Sequence, residues 1–314
     1  MKPTFYFAIG GRFSTLDLDV ALTVGQRHFL VPVGTSGARL LLSYLQRDTT
    51  IRVILDSGAF PPNNPRRVTL TQYAHELLSW RDNDGIWSCN WAASYDHLGD
   101  PQRTENDHQR LLRLLAPHDH DPPIVPVLHY PDSSAHDIIG PLHAMVYDHL
   151  VTEEWAALAT ARRCGAVDGP ADHPAFAVGS LVPQRYSVAA TGWYERLIGE
   201  LEAASELHPC ERSLHLFGVG RPTWTLRSPL VRSFDSSGPA QLARFGWPKI
   251  APSYTDAYGY TPAKLQRSRA TRLAYWLAHY RTTIEQPSNV LDEALLPDDQ
   301  PPAPRRWHQL SFVT

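Results

Sequence analysis

Eight short strand-like runs recur along this chain, and most are followed by a stretch long enough for a helix. The third is the clearest. Arg52-Val53-Ile54-Leu55-Asp56-Ser57-Gly58-Ala59-Phe60 climbs through three aliphatic residues to an aspartate and breaks at a small, flexible turn. A continuously apolar run of this length reads as a parallel strand covered on both faces. The other seven fall at residues 4–10, 29–34, 88–96, 123–130, 175–180, 213–220 and 229–238. Helical patterns occupy roughly 37–45, 69–80, 104–115, 135–164, 190–206 and 263–283. In the second of these, Leu70, Tyr73, Leu77 and Leu78 share one face, with Thr69 or Thr71 as the cap. Strand and helix in alternation predict an α/β fold with a parallel sheet, and eight repeats predict a closed (β/α)8 TIM barrel. Residues 1–262 are expected to form it as a single domain. Residues 263–314 would add a helix and an irregular, Pro-rich tail packed on the barrel.

Size and composition agree with that expectation. A chain of 314 residues suits one barrel with insertions, and 43% apolar against 19% charged residues supplies a sizeable core. A formal charge of -3 excludes wholesale non-specific binding to nucleic acid, while a local basic patch remains compatible with it. Cys89, Cys164 and Cys210 are odd in number and far apart, which excludes a disulfide framework and a Cys-x-x-Cys metal site. A reducing cytoplasm is the expected setting. The N-terminus lacks the apolar run of a signal peptide, and no stretch reaches transmembrane length, so no membrane is expected as a partner.

In a barrel the C-terminal ends of the strands converge on one mouth, which carries the chemistry. Asp56, Asp96, His129, Gly179, Gly220 and Asp235 would face one another there although they lie far apart in sequence. An aspartate before Ser-Gly is by itself more often a turn cap. What sets this chain apart is the repetition. Three carboxylates around one cavity can attack carbon, move a proton and accept hydrogen bonds from a substrate's donor edge. The glycines would let a planar ligand approach the backbone. Arg66, Arg67, Arg221, Arg227, Arg232 and Arg244 fall near the expected mouth loops and suit phosphates. The helix carrying Lys264, Arg267, Arg269 and Arg272 would track a nucleic-acid backbone in the same way. A solvated basic face has the same pattern. The histidines at His97, His118, His120 and His129 include no helical His-x-x-x-His pair, and no metal is expected.

Four motifs then invite comparison. Asp56-Ser57-Gly58-Ala59-Phe60 resembles the Asp-Ser-Gly-Gly-(Phe/Tyr) motif of tRNA-guanine transglycosylases. Phe176-Ala177-Val178-Gly179 is similar to their Leu-Ala-Val-Gly strand end, and Phe217-Gly218-Val219-Gly220-Arg221-Pro222 to their Met-Gly-Val-Gly-x-Pro turn. Ser233-Phe234-Asp235-Ser236 falls where that family has Phe-Asp-Cys with its nucleophilic aspartate. The resemblance implies a base-exchange enzyme without a cofactor. Asp235 would be the nucleophile at C1′ of a guanosine nucleotide and hold a covalent glycosyl intermediate until a 7-deazaguanine enters. Asp56 would be the general acid/base, and Asp96 would accept hydrogen bonds from the guanine edge. Ser57, Gly58, Phe60, Gly179 and Gly220 would border the base, with His129 beside it. Arg221, Arg232, Arg244, Lys264 and Arg267 would hold the nucleic acid.

The departures narrow the resemblance. No cysteine follows Asp235, so the zinc site of the tRNA enzymes is absent, and Ala59 replaces their second glycine. Ser180 stands where a glutamate follows Val-Gly, and the Pro-Thr-Arg after the nucleophile is missing. A shorter, zinc-less relative looks more like the DpdA group, which inserts 7-deazaguanines into DNA. The expected partners are therefore DNA, or alternatively tRNA, and a free 7-deazaguanine base such as preQ0, with a homodimer or an accessory protein as a further association. Two other readings use the same residues: a hydrolase, either a carboxylate-pair glycosidase or a metal-assisted amidohydrolase, and a non-catalytic barrel that binds nucleic acid as a subunit.

Overall fold

The computed structural model describes residues 3–10, 13–59, 64, 67–82, 86–98, 100–118, 124–129, 174–179, 188–203, 213–219, 228–245 and 268–285. Its strands are β1 (Thr4–Ala8), β2 (His28–Pro32), β3 (Arg52–Asp56), β4 (Trp91–Ala93), β5 (Ile124–Val125), β6 (Val127–His129), β7 (Phe176–Gly179), β8 (Leu214–Leu216) and β9 (Val231–Ser236). Every pairing between them is parallel, in the order β5-β4-β3-β2-β1-β9-β8-β7-β6. The two ends of that order are halves of one strand position. Pro126, which has no N–H to give to a ladder, separates them. The first half pairs back to β4 and the second forward to β7, so chain continuity shuts the ring. Eight parallel strand positions thus form a (β/α)8 TIM barrel.

Helices α1 (Thr15–Thr23), α2 (Ser36–Leu45), α3 (Leu70–Leu78), α4 (Pro101–Leu115), α5 (Val188–Ala203), α6 (Gly238–Phe245) and α7 (Arg269–Glu285) stand outside the ring. Thr69 caps α3 in a reciprocal capping box with Gln72. Two helices were not legible in advance. In α1 the run Leu16, Leu18, Val20 alternates like a strand, but Leu16 is exposed while Leu18 is fully buried. There Ser14 and Asp17 form a capping box that commits the segment to a helix. Short α6 starts on Gly238-Pro239, an opening that reads as a turn.

Alternation along the strands divides the core in two. Val53 and Leu55 face the surrounding helices with Phe5, Phe7, Phe29, Val31 and Phe234. Ile54 faces the barrel axis with Tyr6, Leu30, Trp91, Ala93, Val125, Val127 and Ala177. Each of these large side chains contributes about 1.5–3 kcal/mol by leaving water. The same period of two carries Asp56 to the inner side one step above Ile54.

The fourth strand is shorter than residues 88–96, for a visible reason. Asn90 Oδ1 takes the Val53 N–H at 3.1 Å and Ser94 Oγ takes the Val127 N–H at 3.1 Å. Side chains replace ladder rungs at both ends, and Asp96 stands beyond the strand rather than on it. The helix α7 packs on α1, α6 and β1. Among the described residues no helix is long and apolar enough to cross a membrane. The segment expected to be helical at 135–164 and the tail after 285 lie outside the described residues.

Candidate active site

Strand β3 delivers Asp56 to the mouth of the barrel and then turns sharply. Gly58 adopts φ 74°, a region that side chains disfavour, and its N–H donates to Asp56 Oδ2 at 3.2 Å. The turn leaves Ser57 pointing across to the segment after β4, where its hydroxyl donates to Asp96 Oδ1. Arg67 completes this corner. Its Nη2 donates to the Asp96 carbonyl, lies 3.4 Å from Ser57 Oγ and 3.9 Å from Asp96 Oδ1, and its guanidinium stacks 4.0 Å above the Tyr95 ring. A buried carboxylate needs a countercharge of this kind. Arg67, grouped in the sequence with residues suited to phosphates, is committed to Asp96.

Opposite this corner, β9 presents Asp235, whose register partner on β1 is Tyr6. Asp235 Oδ1 accepts the Gly218 N–H at 2.9 Å and faces His215 Nε2 at 3.3 Å. Gly218 holds φ 66° in the turn after β8, which aims its amide at the carboxylate. Asp235 and Asp96 are both buried, whereas Asp56 keeps partial exposure at the mouth.

The three acids act on one another. Burial first, and then the charges of Asp96 and Asp235, push the Asp56 carboxyl up to about 7, against smaller opposing effects of the Gly58 N–H and Arg67. Asp56 therefore holds or yields a proton near neutral pH, as a general acid/base requires. Tyr73 behaves consistently with this crowding. Burial and the charges of Asp56 and Asp96 lift its hydroxyl well above the usual tyrosine range, and it stays protonated, donating to the Ala93 carbonyl at 2.6 Å. The buried Cys89 thiol is likewise pushed up to about 12.

The structure thus gathers Asp56, Ser57, Gly58, Asp96 and Asp235. His129 and Gly179 are register partners at the ends of β6 and β7, on the same rim. Phe60, Gly220, Arg221, Lys264 and Arg267 lie outside the described residues. Arg232 occupies the second position of β9, toward the entry end of the strand, and Arg244 is exposed in the last turn of α6. Two arginines of the basic helix serve the fold: Arg269 pairs with buried Asp17 of α1, and Arg272 Nε donates to the Ala243 carbonyl at 2.8 Å. His97 Nε2 is paired with Asp107 Oδ2 at 2.9 Å, and Asp107 Oδ1 with Arg110 at 2.7 Å.

Sequence reasoning passed over His215 and the true partner of Arg67. A histidine between two leucines, Leu214-His215-Leu216, in a strand expected to be buried was the available signal for the first. Comparison with protein-family models, with curated proteins and with solved structures found no match for the chain.

Proposed function

We propose that this protein is a base-exchange transglycosylase that replaces guanine in a nucleic acid, DNA in preference to tRNA, with a 7-deazaguanine such as preQ0. The observation that carries the reading is the difference between carboxylates around one mouth. Burial, and after it the charges of Asp96 and Asp235, push the Asp56 carboxyl up to about 7, while Asp235 is fixed by an amide and an imidazole. Pairs of acids pushed into different roles are the mark of proton transfer joined to covalent chemistry. In this reading Asp235 attacks C1′ and expels guanine as Asp56 supplies a proton. The incoming base then displaces Asp235 and returns a proton to Asp56. Asp96, anchored by Ser57 and Arg67, accepts from N1–H and the exocyclic amine of the guanine edge and so rejects adenine. The target nucleotide has to leave its stack, which favours unpaired or mismatched sites. The preference for DNA rests on Ala59 and on the absence of cysteine after Asp235.

The test is incorporation of labelled preQ0 into DNA oligonucleotides and into tRNA, followed by mass analysis of the nucleosides. Incorporation into DNA that is abolished in Asp235→Ala is the expected result. Full incorporation by that variant would remove Asp235 as the nucleophile. Release of a sugar or an amide product without nucleic acid would move the protein to the hydrolases.

A further inference from the structure

Deep in the barrel interior lies an imidazole to which no motif assigns a task. His215, at the middle of β8, has no exposed surface, and the rings of Phe217, Trp91 and Tyr6 meet it edge-on at 4.8, 5.0 and 6.1 Å. Both of its nitrogens are engaged. Nδ1 lies 2.9 Å from Ser233 Oγ and Nε2 lies 3.3 Å from Asp235 Oδ1. An ionised carboxylate has no proton to give, so Nε2 carries the hydrogen, and the rotatable Ser233 hydroxyl donates to Nδ1. The same Oδ1 takes the Gly218 N–H, whereas Oδ2 has no hydrogen-bond partner among the described residues.

We infer that His215 is the positioning residue of Asp235: as a neutral, Nε2-protonated ring it joins the Gly218 amide in holding Oδ1, so that Oδ2 is the oxygen that bonds to the sugar. This rests on the base-exchange reading. In the first step Oδ2 gives a lone pair to C1′ and the C1′–N9 bond breaks. Its electrons leave with guanine, which takes the proton of Asp56. Oδ1 is then the carbonyl oxygen of a glycosyl ester, with both donors still on it. In the second step N9 of the incoming base bonds to C1′, the C1′–Oδ2 bond breaks with its electrons returning to the carboxylate, and the N9 proton passes to Asp56. A neutral ring suits both states. An imidazolium would lose its counter-charge when the ester forms and remain as a lone buried cation.

The test begins with the full chain labelled with 15N-histidine, His215 being assigned by the signal lost in His215→Gln. A neutral ring protonated on Nε2 is expected near pH 7. A ring protonated on Nδ1, or on both nitrogens, overturns the inference. In exchange assays His215→Phe, which keeps the ring volume without the donor, should lower kcat roughly 10–100-fold and leave KM within about twofold. His215→Gln, whose amide can still reach Asp235, should recover most of that loss. Unchanged kcat in His215→Phe, or equal losses in both variants, overturns it. If the Phe variant unfolds, Asp235→Ala removes the acceptor from Nε2 and should shift the His215 15N signals, and an unchanged His215 spectrum overturns the inference. A wild-type chain that exchanges no base on any nucleic acid defeats the base-exchange reading instead, and the histidine spectrum then decides the orientation of the Asp235 carboxylate by itself.

Discussion

Asp56 differs from an ordinary carboxyl because its surroundings penalise the ion: protein replaces water around it, and Asp96 and Asp235 repel its charge. The folded chain keeps this proton to about pH 7, whereas the unfolded chain releases it near the ordinary aspartate value of 3.8. Between those limits the folded state binds more protons, so stability falls as pH rises through the window and levels off above it. Asp56→Asn should therefore be close to neutral at pH 4 and stabilise the protein by about 2–4 kcal/mol at pH 8. Denaturant unfolding at the two pH values reads this, and an equal effect at both would refute the assignment. The three aspartates were legible in the sequence because each follows an apolar run, a local signal. Arg67 and His215 were not, because their meaning lies in partners 29 and 20 residues away. Which basic residue serves an acid, and which awaits a phosphate, is decided by folding.

At the scale of elements, patterning identified strands well and their limits less well. Apolar runs mark what is buried, but ladder ends depend on particular donors: Asn90 and Ser94 cut β4 short, and Pro126 divides one strand position in two. The opening of α6 shows how tightly the outer layer is fitted. A Cβ built on Gly238 would come within 2.2 Å of Tyr280 Oη and 3.0 Å of Tyr280 Cζ, with Ser236 Oγ also at 3.0 Å. Tyr280 is itself buried and stacks 5.3 Å from Phe5 of β1, so it has little room to retreat. Gly238→Ala should cost about 1–3 kcal/mol through overpacking at the junction of α6, α7 and β1. In a thermal-melt cycle, Tyr280→Phe should return part of that cost. Strict additivity of the two substitutions would show that α7 does not press on this glycine.

For the whole molecule, a second partly buried group opposes Asp56. His279 on α7 is held down to about 4 by burial, so its ring is neutral in the fold and takes a proton below about 6.5 once unfolded. Its contribution is complete above pH 6.5 and is lost as pH falls toward 4, the reverse slope to that of Asp56 in nearly the same window. His279→Gln should leave a protein that gains stability on mild acidification, and Asp56→Asn one that loses it, each by about 2–3 kcal/mol. Urea midpoints between pH 4 and 7 would distinguish the two, and parallel curves would contradict the opposition. The ring itself has a further consequence. Asp56 and Asp96 belong to the half of the barrel before Pro126, and Asp235 and His215 to the half after it. Part of the repulsion that keeps the Asp56 proton in place therefore exists only when both halves have met. An ajar barrel would surrender that proton at a lower pH and, under the proposed reaction, have nothing to hand to a departing base. The proton is a latch indicator, held more firmly once the ring has closed.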